Sequence, residues 1–185
     1  WVNDRLIIDR WRKGMHDLNG QIDLVAGQPV SIKLEYYEDV QNAQVTLYWS
    51  SNSQPKEVVP TSQLFTVNPG TQTPDPITPP PTPTEAPTEA PTEEPTPAPT
   101  QPTTQPPPSS GGNGLKGEYY EHRDFRGRMV ERVDGLVNFN WGAGGPMMDV
   151  TGDWNFSIRW TGYIVPRYSE TYTFNLLADD GVRLW

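Results

Sequence analysis

One stretch of the chain decides the fold class: VSIKLEYYE, residues 30–38, alternates between apolar and polar side chains. A period of two places Val30, Ile32, Leu34 and Tyr36 on one face of an extended strand. The same alternation is found in four other short stretches, residues 21–24, 45–49, 156–160 and 172–176. The sequence therefore predicts a protein built from short, half-buried strands.

The segments between these stretches carry turn signals. Residues 38–42 are mostly polar, which predicts a loop between two antiparallel strands. The Gly-rich run GAGGP at 142–146 predicts a loop that needs backbone freedom. No segment shows sustained helical periodicity. Short strands at regular spacing indicate an all-β fold, an antiparallel sandwich or barrel.

Composition excludes several classes of protein. The 185 residues include 14 Lys and Arg against 23 Asp and Glu, a net charge of -9, which argues against nucleic acid as a partner. The absence of Cys excludes disulfides, thiolate metal sites and a Cys nucleophile. No apolar run is long enough to span a bilayer, so membrane insertion is not expected. The chain opens on Trp1 without a signal peptide, so we expect processing or fragmentation to have removed the true start.

The middle of the chain differs sharply from its flanks. Residues 68–114 hold 16 of the 21 prolines and no aromatic residue, and the motif PTEA is repeated from residue 83. Such a segment cannot bury enough apolar surface to offset its ordering entropy. We predict a disordered linker between two foldable pieces, 1–67 and 115–185. A glycosylated stalk and a plain spacer both fit its composition.

Several motifs in the second piece resemble the PA-14 domain family, which is named from anthrax protective antigen and also occurs in glycosidases and yeast adhesins. They are GEYY (117–120), GYI (162–164), ETYTF (170–174) and ADDGVRLW (178–185). Motifs in the first piece resemble the later part of the same domain. They are WVNDRLIID (1–9), LEYYE (34–38), LYWS (47–50) and VPTSQLF (59–65).

The order of these motifs is reversed relative to the family. The C-terminal half of the domain comes first and the N-terminal half last, with the break inside one hairpin. We interpret the chain as a fragment of a tandem array, cut at equivalent points in two successive copies; a natural circular permutant is the alternative. Each half alone would leave open strand edges and half a core, so we expect the halves to pair within the chain.

Asp179 and Asp180 are the candidate metal ligands. Two neighbouring carboxylates suit Ca²⁺, which prefers hard oxygen ligands. The resemblance implies the same role, because in calcium-dependent adhesins a paired-Asp motif holds an ion that binds sugar hydroxyls. Further ligands have no matching motif here; the residues that could contribute are Asp39, Asn42 and Asp149. The alternative is turn chemistry, in which one carboxylate accepts a backbone hydrogen bond and Gly181 takes a positive φ.

Aromatic side chains form the second set of candidates, because Trp and Tyr faces stack on sugar rings. Trp11, Trp141 and Trp154 lie in polar or Gly-rich surroundings, which predicts that they reach the surface; we select Trp11 and Trp141 as ligand-binding residues. Trp49 and Trp160 alternate with apolar neighbours, and we expect them in the core.

No catalytic motif is recognisable in the sequence, and an enzyme is the less favoured class. Glu35, Glu38 and Asp23 would allow a carboxylate pair of glycosidase type, but acidic residues are common here and strand alternation predicts a solvated Glu35. His16 and His122 are isolated, and we expect both at the surface.

The sequence therefore predicts a non-catalytic, carbohydrate-binding module of a secreted or cell-surface protein, with Ca²⁺ as a possible cofactor. Its expected partners are glycans or cell-surface polysaccharide and the neighbouring modules of the same chain. A structural spacer or protein-interaction module is the alternative, and an accessory part of a glycoside hydrolase is a weaker one.

Overall fold

The computed structural model describes residues 5–40, 42–71, 111–147 and 149–185. Most of the linker predicted at 68–114 lies outside these residues. The described chain forms twelve β-strands in two antiparallel sheets, with two short 3-10 turns at Thr61–Gln63 and Pro69–Thr71. The predicted all-β sandwich is confirmed.

The larger sheet has seven strands. Six follow one another in the order β1-β12-β3-β10-β7-β8, and β6 pairs with β10. Their bounds are β1 Ile8–Arg10, β3 Val30–Glu38, β6 Leu64–Phe65, β7 Leu115–Tyr120, β8 Met129–Asp134, β10 Phe156–Ile164 and β12 Gly181–Leu184.

The smaller sheet has five strands. Four follow the order β2-β11-β4-β5, and β9 pairs with β4. Their bounds are β2 His16–Leu24, β4 Ala43–Ser51, β5 Gln54–Val58, β9 Asn138–Gly142 and β11 Glu170–Asp179.

The core lies between the two sheets, where the apolar sides of the alternating strands face each other. Trp49 and Trp160 are both fully buried there, as the sequence predicts. Among the described residues, the segments 5–71 and 111–185 each supply thirteen of the twenty-six buried residues of this core. Neither segment therefore carries a complete core.

The strands of the two segments are interleaved. Of the ten strand pairings in the described chain, seven join a strand of the first segment to a strand of the second. The nine-residue ladder between β3 and β10, from Val30–Ile164 to Glu38–Phe156, is one of them. The expectation that the halves pair within the chain is confirmed.

One local expectation is wrong. Residues 38–42 do connect two strands, but β3 and β4 lie in different sheets and do not pair. The segment instead carries the chain across the sandwich. Asp180 makes a second crossing, because β11 ends at Asp179 in the smaller sheet and β12 begins at Gly181 in the larger one.

The loops divide between two ends of the sandwich. The connections β1–β2, β3–β4, β7–β8, β9–β10 and β11–β12 all lie at the end where β3 finishes at Glu38. The segments that lead into the linker lie at the other end, where the Thr66 amide donates to Asn113 Oδ1 at 2.9 Å. Since β3 rises about 3.3 Å per residue, the two ends are roughly 25 Å apart.

A row of charges crosses the outer face of the larger sheet. Neighbouring strands place Asp9, Arg183, Glu35, Arg159 and Glu118 side by side in register. Glu35 is only 6% exposed, and Arg159 binds its carboxylate through Nε and Nη2, both at 2.9 Å. The expectation of a solvated charge is therefore wrong, because Arg159 of the neighbouring strand β10 pairs with this carboxylate.

A buried carboxylate holds one end of the core together. Asp134 accepts hydrogen bonds from the Tyr119 hydroxyl at 2.5 Å and the Trp160 indole at 2.7 Å through Oδ2, and from Arg132 Nε at 2.6 Å through Oδ1. Burial and this carboxylate raise the pKa of Tyr119, so its hydroxyl remains a donor.

Replacing Asp134 by Ala leaves the Tyr119 and Trp160 donors buried without an acceptor. We expect the free energy of unfolding to fall by about 2–4 kcal/mol, measured by urea denaturation. Asp149→Ala removes an exposed carboxylate and serves as the control. A loss no larger than that of the control would contradict the role given to Asp134.

Candidate functional site

A cavity of about 520 Å³ opens on the outer face of the larger sheet, at the end where five loops meet. Strands β3 and β12 supply Tyr37 and Arg183, and the β1–β2 loop supplies Trp11. The β7–β8 loop supplies a run of three residues, Arg123, Asp124 and Phe125. The cavity thus needs both segments of the chain.

Three aromatic rings form the apolar part of the cavity. Trp11 meets Tyr37 edge to face at 4.7 Å between ring centroids and stacks near Phe125 at 5.9 Å. Phe125 has a positive φ of 60°, an uncommon conformation for a non-glycine residue, within the short loop that carries it. The rings are held by one another and leave an aromatic surface beside polar groups.

Arginines line and support these rings. The Arg183 guanidinium lies 4.4 Å from the Trp11 ring centroid and pairs with Asp9 at 2.9 Å. The Arg159 guanidinium, in the same cross-strand row, lies 4.5 Å from the Phe125 ring centroid. Cation–π contacts of this kind help to fix the positions of the rings.

Asp180 ties the loops around the cavity to the sheet crossing. It is 4% exposed, and its Oδ1 accepts the Gly14 N–H at 2.6 Å while its Oδ2 accepts the Asp39 N–H at 3.0 Å. Asp39 in turn binds Lys13 and, at 2.6 Å, Arg123 of the cavity. Asp180 therefore fixes the loop that carries Trp11 and the loop that approaches Arg123.

Asp179 has a different environment, although the two residues are neighbours joined by a cis peptide bond. Its side chain is half-buried, and its pKa is raised by burial and by the charge of Asp180. The Tyr36 hydroxyl donates to the Asp179 backbone carbonyl oxygen. Among the described residues, no group of three or more His, Cys, Asp or Glu side chains converges as a metal site.

Gly181 is required for a reason other than the predicted positive φ, which it does not have. It faces Tyr37 across the β12–β3 pairing, and a Cβ atom at this position would overlap the Tyr37 ring. The alternative of turn chemistry predicted a carboxylate that accepts a backbone hydrogen bond, which Asp180 does. Its prediction of a positive φ at Gly181 is wrong.

Glu38 lies at the same crossing and is fully buried. Its Oε2 lies 2.9 Å from the Tyr36 hydroxyl oxygen, and its Oε1 has no hydrogen-bond partner. Burial, together with the charges of Asp180 and Asp179, raises the pKa of Glu38 to about 8. The crossing therefore gathers three carboxyl groups whose charges oppose one another.

The remaining predicted site residues lie at the same end of the sandwich but in different surroundings. Trp141 stacks on Phe139 at 4.9 Å and packs against the core. Trp154 is 56% exposed, as expected. Asn42 and Asp149 are exposed.

The carboxylates considered for catalysis do not form a pair. Glu35 lies on the outer face of β3, whereas Glu38, three positions later, lies on the inner face. Asp23 is on the smaller sheet, where it accepts the Thr171 hydroxyl at 2.5 Å. Of the two histidines, His122 is exposed and His16 is half-buried beside the Arg12 carbonyl oxygen.

Sequence reasoning missed most of the cavity. The missing residues are Tyr37, Arg123, Asp124, Phe125 and Arg183. Two of them had a usable signal, because alternation along β3 and β12 places Tyr37 and Arg183 on the outer face. The β7–β8 loop had none, since its position depends on pairing across the whole sheet.

The raised pKa of Glu38 makes stability depend on pH. The unfolded carboxyl ionises near its ordinary pKa of 4.5 and the folded one near 8, so between these values the folded state holds the extra proton. Stability conferred by the protonated carboxyl is present below pH 4.5 and is lost as pH rises through 8, by up to about 1.4 kcal/mol per pH unit. We expect Glu38→Gln to flatten this decline.

Urea denaturation from pH 5 to 9 in the presence of chelator measures the effect. Glu131→Gln, on an exposed residue, is the matched control. A decline that persists unchanged in Glu38→Gln would show that other groups cause it.

Comparison with known proteins gives a family match to the two segments on either side of the linker. The family model described as PA14 domain matches residues 1–63 and 111–185. The anti-sigma-I factor RsgI3 of Acetivibrio thermocellus is 34% identical over 186 aligned positions. These cover all of this chain and 23% of that protein, so the chain spans about a quarter of its relative. No solved structure matches.

PA14 domains are binding modules, so carbohydrate binding or protein interaction is the general class of function. In the described ranges, no helix has the length and apolar character needed to cross a membrane. Because the family model matches both of the segments whose strands interleave in the structure, the chain belongs to the PA14 domain family.

Proposed function

We propose that the chain is a non-catalytic carbohydrate-binding module and that the cavity formed by Trp11, Tyr37 and Phe125 is its binding site. The observation that carries this proposal is the combination of an aromatic surface with fixed polar groups in one open cavity. Aromatic faces cover the apolar side of a sugar ring, while Arg183 and Asp124 can exchange hydrogen bonds with its hydroxyls.

The position of the cavity leaves it accessible to a large ligand. The cavity lies at the loop end of the sandwich, whereas the segments that lead into the linker meet at the opposite end, at Thr66 and Asn113. A ligand as large as a polysaccharide can therefore approach without meeting those segments. This arrangement suits a secreted or surface-displayed module whose partners are glycans or cell-surface polysaccharide.

We propose Ca²⁺ as the ion of the Asp179–Asp180 turn. The donor chemistry fits a hard cation: Asp179 carries a half-buried carboxylate, Asp180 keeps a second lone pair on each oxygen, and Glu38 Oε1 is buried without a partner. A cation here would offset the repulsion among these carboxyl groups. Because no group of three or more His, Cys, Asp or Glu side chains in the described chain has the geometry of a metal site, water, backbone oxygens or sugar hydroxyls would complete the coordination.

The relative suggests a setting for this binding. Since it is named an anti-sigma-I factor, we propose that the module acts as the recognition part of a longer regulatory protein and passes on the presence of an external glycan.

Trp11→Ala should weaken glycan binding at least about tenfold, because it removes the central ring of the cavity, a loss of about 1.4 kcal/mol. The first measurement is a glycan array with calcium and then with chelator, followed by titration calorimetry on the best ligand. Trp154→Ala removes a Trp that is exposed at the same end but outside the cavity, and should bind like the wild type. Equal losses in both variants, or no binding by the wild type, would favour a spacer or protein-interaction module.

A second experiment should distinguish the roles of the two aspartates. Asp180→Asn should lower the free energy of unfolding by about 1–3 kcal/mol even in chelator, because one of two backbone N–H donors loses its acceptor. Asp179→Asn should leave that value within about 0.5 kcal/mol and abolish the rise in Tm that calcium produces. A wild-type calcium response in Asp179→Asn would exclude this residue as a ligand.

A further inference from the structure

We propose that two copies of this chain exchange segments, so that residues 5–71 of one copy form a complete sandwich with residues 111–185 of the other. The proposal rests on the described strands and holds whether or not the cavity binds a glycan.

The interface between the segments is the core of the protein itself. β3 of the first segment lies between β10 and β12 of the second, and β11 of the second lies between β2 and β4 of the first. Each segment therefore has central strands whose ladder hydrogen bonds come only from the other segment. A segment that does not meet its complement keeps open strand edges, which favour pairing with another chain.

Exchange preserves every one of these contacts. Within one sandwich, the ladders and the core are the same whether the two segments belong to one copy or to two. Only the link through residues 72–110 differs, and it closes between Thr66 and Asn113, which are hydrogen-bonded neighbours. The linking residues therefore have no long distance to bridge when the sandwich closes within one chain. The free-energy difference between the closed monomer and the exchanged dimer then depends mainly on loop entropy, which grows slowly with loop length.

Concentration sets the balance between the two forms. Because both segments belong to one chain, each meets its own complement at an effective concentration on the order of mM, so the closed form dominates dilute solutions at equilibrium. Refolding at high protein concentration lets segments meet across copies, and the exchanged dimer then persists because reversal requires unfolding.

The exchanged dimer would have composite cavities. Trp11 and Tyr37 would come from one copy and Arg123, Phe125 and Arg183 from the other. Each dimer would carry two such cavities, joined by its two links, and could hold two sites on one polymer.

Complementation tests the proposal directly. Leu34→Asp disrupts any sandwich that includes the mutated segment 5–71, and Ile158→Asp disrupts any sandwich that includes the mutated segment 111–185. Both residues are fully buried. Neither variant should fold alone. Unfolded together and refolded together, they should form mixed dimers with one intact sandwich, which restores up to half of the wild-type near-ultraviolet dichroism and a cooperative thermal transition.

The matched control is Leu34→Asp mixed with Leu47→Asp. Both substitutions lie in the first segment, so no exchange can assemble an intact sandwich. If the first mixture regains no more signal than this control, exchange is overturned.

Milder variants answer the same question if the charged ones aggregate. Leu34→Ala and Ile158→Ala should each unfold at a lowered Tm, and their co-refolded mixture should show an additional transition at the wild-type Tm. Light scattering should assign that transition to a dimer. A mixture that unfolds only at the lowered temperatures overturns exchange.

Discussion

The structure depends on a reciprocal insertion of strands. Segment 5–71 supplies β3, which completes the larger sheet between β10 and β12, and segment 111–185 supplies β11, which completes the smaller sheet between β2 and β4. Buried backbone groups must find hydrogen-bond partners, and a central strand finds them on both sides. Removing either segment would leave the other with unpaired central strands and half of the core residues. Folding is therefore a joint property of the two segments.

The charged row on the larger sheet follows from this insertion. Glu35 of the first segment sits in register between Arg159 and Arg183 of the second, so its carboxylate meets Arg159 only when β3 is in place. The same two arginines lie against the rings of Phe125 and Trp11. Strand register thus fixes the arginines, the arginines help to fix the rings, and the cavity acquires its shape from the sheet beneath it.

The alternation of side chains was sufficient to predict the sheets, because burial on one face imposes a period of two whatever the order of the strands. It also located Trp49 and Trp160 in the core. Trp11 and the Asp179–Asp180 turn became candidates for other reasons, the polar surroundings of the Trp and the two adjacent carboxylates. It could not place Glu35 under Arg159, since that contact depends on which strands are neighbours. It could not locate Arg123 and Phe125 either, because a loop is positioned by the strands on both of its sides. Local patterns determine faces, whereas sites at loop ends depend on topology.

The composite cavity links binding to folding. Its residues come from both segments, so a ligand held by Trp11 and Arg183 contacts the complete sandwich and neither segment alone. Any ligand that binds only the folded state adds RT ln(1 + [L]/Kd) to its stability. In this protein that free energy acts on the pairing of two segments that are far apart along the chain. A bound ligand would therefore strengthen the association of the two segments. Conversely, separation of the segments would release the ligand.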